Sequence, residues 1–337
     1  MNEFENWLRL VADAHAAGAD TWNGGTVTVQ RVTGGANNAL YRVETDGARF
    51  ACKLCVADGR RRAAQEYGAL RTLQAAGLDL APQPLWLDES CAIAPFPAVI
   101  YRWLPGAPLT LPLTARQLAA LLESFQHVHG LRPDDVASDL ADSRFHWFDF
   151  ARYLAELEDF LGTYGLWLAT TGGEGRDLRD RLARLVDGCA RVVASSPVTA
   201  GREHVALGLC RVDANLDNTV QGPDGRLRWV DWEYCGWGDP ALDFCDLRWH
   251  AALAGLSEAQ RRWLRDNYRR PAGDAGFEQR LAVWDHIIAT RWPFLILRRL
   301  WSVCHGADRV RLTLPDADPA ELRARLVRFI ERAERLF

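Results

Sequence analysis

The chain has 337 residues, of which 48% are hydrophobic and 25% charged, a composition typical of a soluble globular protein with about two domains. Its formal net charge of -4 gives no electrostatic basis for nucleic-acid binding, and no run of about 18 apolar residues is present to span a membrane. Residues 2–17 mix acidic and apolar side chains, which favours an amphipathic helix over a signal peptide. The eight scattered cysteines suit free thiols, so we expect a cytoplasmic protein without nucleic-acid or membrane partners.

After this first helix, the N-terminal part predicts a small antiparallel sheet with one main helix. Strands are predicted at 26–32, 39–43, 48–54, 85–87 and 98–103. Residues 60–76 have the period of a helix, which Gly77 would end. The sequence Leu104-Pro105-Gly106 then predicts a hinge. We therefore expect two lobes, one over residues 1–103 and the other over residues 104–337.

The second part of the chain is predicted to be mainly helical. Helices are expected at 114–129, 148–167 and 175–194, and again from about 240 to the end. A non-helical segment, 206–239, interrupts them. Within it Pro223-Asp224-Gly225 predicts a tight turn, so 219–221 and 227–230 should form a β-hairpin. The predicted fold class is α+β, with a small sheet-containing lobe and a larger helical lobe.

Lys53 is the only lysine among the 40 basic residues of the chain. A sequence that otherwise uses arginine is expected to keep lysine where a compact ammonium must enter a narrow cleft. Lys53 lies in the predicted strand 48–54, between a glycine-rich turn at 33–38 and Glu66 on the following helix. This order predicts a nucleotide phosphate ligand steadied by a helix glutamate, with a solvent-facing strand lysine as the alternative.

Two acidic motifs lie in the non-helical segment. The first is D-x-x-x-x-N, from Asp213 to Asn218, and the second places Asp231 at the end of an apolar strand. Phosphoryl transfer needs a carboxylate that accepts a proton from the attacking hydroxyl, and oxygen ligands for Mg²⁺. Asp213 suits the first task, and Asn218 and Asp231 suit the second. The predicted hairpin would bring Asn218 and Asp231 to the same end.

In this order the motifs resemble the aminoglycoside phosphotransferase and choline kinase superfamily, which has a bilobal protein-kinase-like fold. The resemblance covers about residues 31–247. It is carried by Gly34-Gly35-Ala36-Asn37-Asn38, by Tyr101-Arg102-Trp103-Leu104-Pro105-Gly106 at the hinge, and by Asp231-Trp232-Glu233. It implies transfer of the γ-phosphate of ATP, with Mg²⁺, to a hydroxyl of a small acceptor.

The resemblance also implies roles for individual residues. At the nucleotide it places Gly34, Gly35, Asn37, Asn38, Lys53, Glu66, and the backbone at Ile100, Tyr101 and Trp103. It makes Asp213 the catalytic aspartate and Asn218 and Asp231 the metal ligands. It also makes residues 1–103 the nucleotide-binding lobe and residues 104–337 the catalytic and acceptor-binding lobe. Asp243 is expected to be structural and to bond back to the catalytic loop.

One position departs from the family pattern. Where the family usually has a histidine, two residues before the catalytic aspartate, this chain has Arg211. A buried arginine must find a carboxylate or carbonyls as partners. Asp231 could be that partner, in competition with magnesium, or the side chain could point outward. The alternative function is therefore a pseudokinase-like protein that binds a nucleotide or metabolite without turnover.

The acceptor and the oligomeric state are left open by the sequence. Arginines near the C terminus lie beside aromatic residues, as at Arg291, Arg298 and Arg299. If these arginines face the cleft, they favour an acidic or neutral hydroxylated acceptor. Solvated helix faces with ordinary core aromatics are the alternative.

Overall fold

The N-terminal part of the computed structural model is a sheet with a helix on each face. The structure describes residues 2–33, 38–137, 139–143, 147–307 and 318–337, so Gly34, Gly35 and Asn37 lie outside the described residues. The helices of this part are α1 (Glu3–Ala16) and α2 (Arg62–Ala75). Its strands are β1 (Thr21–Gly24), β2 (Val27–Val32), β3 (Ala39–Thr45), β4 (Ala48–Leu54), β5 (Pro84–Asp88) and β6 (Ala98–Arg102).

The six strands pair in the order β1-β2-β3-β4-β6-β5, and every pairing is antiparallel. This confirms the predicted sheet, and β4 has the predicted bounds. The strand β1 was not predicted, because its sequence Thr-Trp-Asn-Gly contains two residues that are depleted in strands. It lies at the edge of the sheet, where pairing with β2 alone holds it.

The alternation of side chains along β4 decides which residues reach the cleft. Phe50, Cys52 and Leu54 point into an apolar cluster under α1, where Trp7 packs on Phe50 with ring centroids 4.4 Å apart. Ala51 points to the opposite face, toward α2. Since successive strand residues face opposite sides, Lys53 shares the face of Ala51.

The C-terminal part is mainly helical, as predicted. Its helices are α3 (Ala115–Gly130), α4 (Phe150–Phe160), α5 (Leu166–Thr170), α6 (Gly173–Ser195), α7 (Pro240–Trp249), α8 (Glu258–Asn267), α9 (Phe277–His305) and α10 (Pro319–Glu334). A π-helical turn, Leu161–Gly165, joins α4 to α5. The apolar residues of α9, such as Leu281, Trp284 and Ile288, are buried in a core that continues to the inner face of α2.

Short strands build the predicted non-helical segment. They are β7 (Ala107–Pro108), β8 (Gly208–Cys210), β9 (Thr219–Gln221), β10 (Leu227–Trp229) and β11 (Gly236–Gly238). Strands β9 and β10 form the predicted hairpin, in which Thr219 pairs with Trp229. Beyond that pair the backbone N–H of Val230 donates to the carbonyl of Asn218 at 2.9 Å. The hairpin therefore brings Asn218 and Asp231 to one end, as expected.

Gly106 allows the chain to turn tightly after the hinge. Its φ is +139°, and a Cβ at this position would meet the carbonyl oxygen of Gln221 at 2.2 Å. Only glycine accepts both the backbone angle and this close approach. The hinge is thereby held directly against β9, the strand that follows Asn218.

The predicted α+β class, with an N-terminal antiparallel sheet and a mostly helical remainder, is confirmed. Among the helices of the described ranges, none combines the length and the apolar character that crossing a membrane requires.

Candidate active site

Lys53 is a buried cation between two carboxylates. Its Nζ donates to Glu66 Oε2 at 2.7 Å and to Asp231 Oδ1 at 2.6 Å, and the residue is only 5% exposed. Burial opposes the charged ammonium, but Asp231, Glu66 and Glu233 together hold the pKa of Lys53 well above its ordinary value. Burial raises the pKa of Glu66 to about 7, although the charge of Lys53 opposes the shift. The predicted pair of Lys53 and Glu66 is present.

A third carboxylate, Glu233, joins this cluster. It accepts hydrogen bonds from Asn38 Nδ2 and Arg62 Nη1, and it lies 3.5 Å from Lys53 Nζ. Arg62 and Glu66 lie four residues apart, on one face of α2, so the two side chains reach neighbouring carboxylates. Arg62 was not predicted as part of this cluster. The only signal for it in the sequence is its spacing of four residues from Glu66.

The predicted catalytic loop, residues 211–218, has an unusual backbone that a buried carboxylate supports. Val212 has a φ of 72° and Asp231 a φ of 62°, both in the left-handed region. For a β-branched residue such as Val212 this conformation is strained, at a cost of about 1–3 kcal/mol. Asp243 offsets the strain, because its two oxygens accept from the backbone N–H groups of Arg211 and Val212, each at 2.8 Å. The expected bond from Asp243 to the loop is therefore present.

Asp213 borders the cleft with one carboxylate oxygen already engaged. Its Oδ1 accepts from the backbone N–H of Asn215 at 3.2 Å and lies 3.1 Å from Nε2 of His250. Burial acts to raise the pKa of Asp213, but the contact with His250 and the charge of Arg211 hold it below its ordinary value. The carboxylate is therefore charged at neutral pH.

Arg211 is buried and donates to a carbonyl, one of the two kinds of partner expected for a buried arginine. The residue is 1% exposed, so it does not point outward, and its guanidinium lies 4.3 Å from the ring centre of Trp229 and 4.8 Å from that of Trp232. Its Nη2 donates to the carbonyl of Val230 at 2.9 Å. Within the described part of the chain no carboxylate forms an ion pair with it, so the predicted competition for Asp231 was wrong. The two indole faces supply the attraction that a carboxylate would have given.

A cleft of about 600 Å³ collects most of the predicted residues. Its polar lining includes Asn38, Lys53, Asp213, Asn215, Asp217, Asn218, Asp231 and Tyr234. Its apolar lining includes Val32, Leu40, Ala51, Tyr101, Trp103, Leu104, Pro108, Val220 and Val230. Glu66 stands behind Lys53. Ile100 was predicted to meet the nucleotide through its backbone, and its side chain is fully buried on the other face of β6, in the cluster under α1.

The C-terminal arginines do not form a free cationic wall. Arg291 donates from Nε to Glu156 Oε2 at 2.6 Å, and the guanidinium of Arg298 lies over the ring of Phe160. Trp292 instead approaches the catalytic loop through His250, with ring centroids 4.6 Å apart. Arg291 is therefore half-buried with its charge paired, whereas Arg298 is exposed and Phe294 is a core aromatic, as the alternative of solvated helix faces expected.

Solved structures with the same overall fold include both antibiotic and choline kinases. Spectinomycin phosphotransferase in complex with ADP and spectinomycin is 12% identical, with a TM-score of 0.63 over 92% of this chain and 93% of that chain. A choline/ethanolamine kinase family protein from Mesorhizobium loti is 20% identical, with a TM-score of 0.58 over 91% and 87% of the two chains. Choline kinase LicA from Streptococcus pneumoniae is 14% identical, with a TM-score of 0.57 over 97% and 99%.

At these identities the likeness is one of fold, and it confirms the predicted kinase-like architecture. No curated protein matches the chain in sequence. A sequence model of the phosphotransferase enzyme family, however, matches residues 28–277, which include the hinge, Asp213 and the β9–β10 hairpin. The chain therefore belongs to the phosphotransferase enzyme family.

Proposed function

We propose that this protein transfers the γ-phosphate of ATP to a hydroxyl group of a small molecule. The observation that carries the proposal is the convergence of Lys53, Asp213, Asn218 and Asp231 on one cleft. The four side chains come from distant parts of the chain, and together they supply the charges and the base that phosphoryl transfer requires.

The cleft suits a nucleotide in size and lining. Its volume of about 600 Å³ lies within the usual range for ligand sites, and its apolar residues would cover an adenine ring next to Tyr101 and Trp103. Lys53, held by Glu66, would contact the phosphates. Two structures of the same fold were solved with ADP and with AMP, which supports this assignment. Residues 1–103 would then form the nucleotide-binding lobe.

The donor atoms at the end of the β9–β10 hairpin fit magnesium. Asn218 and Asp231 offer an amide and a carboxylate oxygen, which are ligands that Mg²⁺ prefers. When bound there, the ion would neutralise charge on the phosphates. Arg211 occupies neither ligand, because its hydrogen bond goes to the carbonyl of Val230, whereas Lys53 Nζ donates to Oδ1 of Asp231.

Asp213 would act as the base. Its charged carboxylate would orient the acceptor hydroxyl and take its proton as the oxygen attacks the γ-phosphorus, and the bond to the β-phosphate oxygen breaks to release ADP. The acceptor would enter from the side of the C-terminal helices, in residues 104–337. The eight cysteines are free thiols, which supports a reducing compartment such as the cytoplasm.

Two measurements test the proposal. A non-hydrolysable ATP analogue should raise the melting temperature, and Mg²⁺ should increase the effect. ADP release should appear with one class of hydroxylated metabolite or antibiotic. As a control, Asp213→Asn should keep the nucleotide stabilisation and lose about 10²–10⁴-fold in rate. If no nucleotide stabilises the protein, the proposal is wrong. Stabilisation without transfer to any acceptor would favour the binding protein without turnover.

A further inference from the structure

Helix α7 holds the catalytic loop at two points. Asp243, in its first turn, accepts from the backbone of Arg211 and Val212, and His250, which caps its C-terminal end, lies 3.1 Å from Asp213. Asp243 and His250 are seven residues apart, about two helical turns, so they lie on the same side of α7. Three successive loop residues are therefore fixed by one helix.

The proton on the His250 ring is assigned by its other contact. Nδ1 accepts a hydrogen bond from the backbone N–H of Ala252 at 3.2 Å, so this nitrogen carries no proton. In the neutral imidazole the proton must then be on Nε2, the atom that faces Asp213. The residue is 8% exposed, and its ring packs edge-on against Trp292, at an interplanar angle of 78°. Its orientation is thus set by the backbone on one side and by an indole on another.

This contact leaves the two oxygens of Asp213 in different states. Oδ1 receives the N–H of Asn215 and faces the Nε2 of His250. Among the residues that the structure describes, none donates to Oδ2. These two contacts hold Oδ1 and so orient the carboxylate, while Oδ2 remains to accept a proton from the acceptor.

We propose that His250 is a positioning residue that fixes the catalytic aspartate Asp213 through its Nε2–H, with Oδ2 left as the proton acceptor. The proposal rests on the phosphotransfer function proposed above. His250 does not touch the reacting atoms, and its effect is to restrict the rotation of the carboxylate. A base held in this way by a second, buried side chain is already oriented when the acceptor binds.

Two variants at this position separate positioning from packing. His250→Gln keeps an N–H donor near the place of Nε2, whereas His250→Leu fills a similar volume without a donor. We expect His250→Leu to lower kcat by about 10–100-fold, the usual effect of losing a hydrogen bond to a charged group. The KM for ATP should change by less than about twofold, since the nucleotide contacts are untouched. His250→Gln should recover most of the kcat. Equal kcat in the parent and His250→Leu would overturn the proposal.

A second measurement is independent of turnover. In ¹⁵N NMR spectra of the histidine rings, the signals assigned to His250 by comparison with His250→Gln should show a protonated Nε2 and a bare Nδ1. The Nε2 signal should move in Asp213→Ala. A protonated Nδ1, or an Nε2 signal that ignores Asp213, would refute the contact. If the parent transfers phosphate to no acceptor, the proposed function fails, and the NMR result still decides whether His250 holds Asp213.

Discussion

Replacing Lys53 with arginine tests whether the site needs a compact cation. The Nζ of Lys53 lies 2.7 Å from Glu66, 2.6 Å from Asp231 and 3.5 Å from Glu233, so three carboxylates converge on one nitrogen. A guanidinium spreads its donors over a rigid plane and cannot place one nitrogen at this point without displacing its neighbours. We therefore expect Lys53→Arg to be a poor substitute, although the charge is unchanged.

The magnitude follows from the contacts that are lost. One well-placed charged hydrogen bond contributes about 1.5–3 kcal/mol, so nucleotide affinity or turnover should fall by about 10–150-fold in Lys53→Arg. Lys53→Met removes the cation altogether, and breaking a buried ion pair costs about 3–5 kcal/mol in stability. Glu66 limits that cost, because its pKa is already about 7 and its neutral form needs no cation. The stability loss in Lys53→Met should thus be larger at pH 8.5 than at pH 6.

The assay compares the parent, Lys53→Arg and Lys53→Met by calorimetric titration with Mg·ADP and by ADP release. Arginine should resemble methionine more than lysine in both measurements. Urea denaturation of each variant separates an effect on folding from an effect on the site. If affinity and turnover of Lys53→Arg stay within twofold of the parent, the reasoning from shape is refuted. The single lysine would then be an accident of composition.

Three further predictions concern the acidic residues and Arg211. Asp231→Asn should remove most of the Mg²⁺ dependence of nucleotide stabilisation, measured as melting temperature with and without the ion; an unchanged dependence would place the metal elsewhere. Arg211→Met removes a charge that lowers the pKa of Asp213, so the acid limb of the pH–rate profile should move to higher pH, and a limb that stays in place contradicts this link. Asp246 is buried on α7, where its Oδ1 accepts from Nε1 of Trp292 at 3.2 Å. Burial raises the pKa of Asp246 to about 7 from an ordinary value of 3.8, so the stability it contributes is complete at low pH and is lost as the pH rises through 7. Urea denaturation should therefore show Asp246→Asn gaining about 2 kcal/mol relative to the parent between pH 5.5 and pH 8, whereas an equal difference at both pH values would exclude the raised pKa.

Local patterns were sufficient to predict the elements that carry the site. The strand-like pattern of residues 48–54 predicted the bounds of β4. The turn at Pro223-Asp224-Gly225 predicted the hairpin that brings Asn218 and Asp231 to one end. These predictions depend on side-chain period and turn chemistry, which act between near neighbours in the chain.

Contacts between distant segments were not predictable in the same way. Arg62 meets Glu233 across 171 positions of sequence, and His250 meets Asp213 only because α7 lies under the catalytic loop. For Arg211 the sequence suggested a carboxylate, carbonyls or solvent, since these are the ordinary partners of a guanidinium, and it did not suggest the aromatic rings that contact it. The indole rings of Trp229 and Trp232 each contact the guanidinium of Arg211, and only the packing of the hairpin brings them there.

The composition of the chain gives Lys53 a chemical property that a typical kinase lysine lacks. It is the only side-chain amine in the protein, and it lies in the cleft proposed for the nucleotide. An amine-reactive acyl group carried on a nucleotide would therefore have one lysine to acylate, and mass spectrometry would read occupancy of the cleft from a single peptide. Protection of that peptide by unlabelled nucleotides would rank adenine against guanine without knowledge of the acceptor. Because the chain has a single lysine, labelling of this one buried side chain would report whether the cleft is occupied.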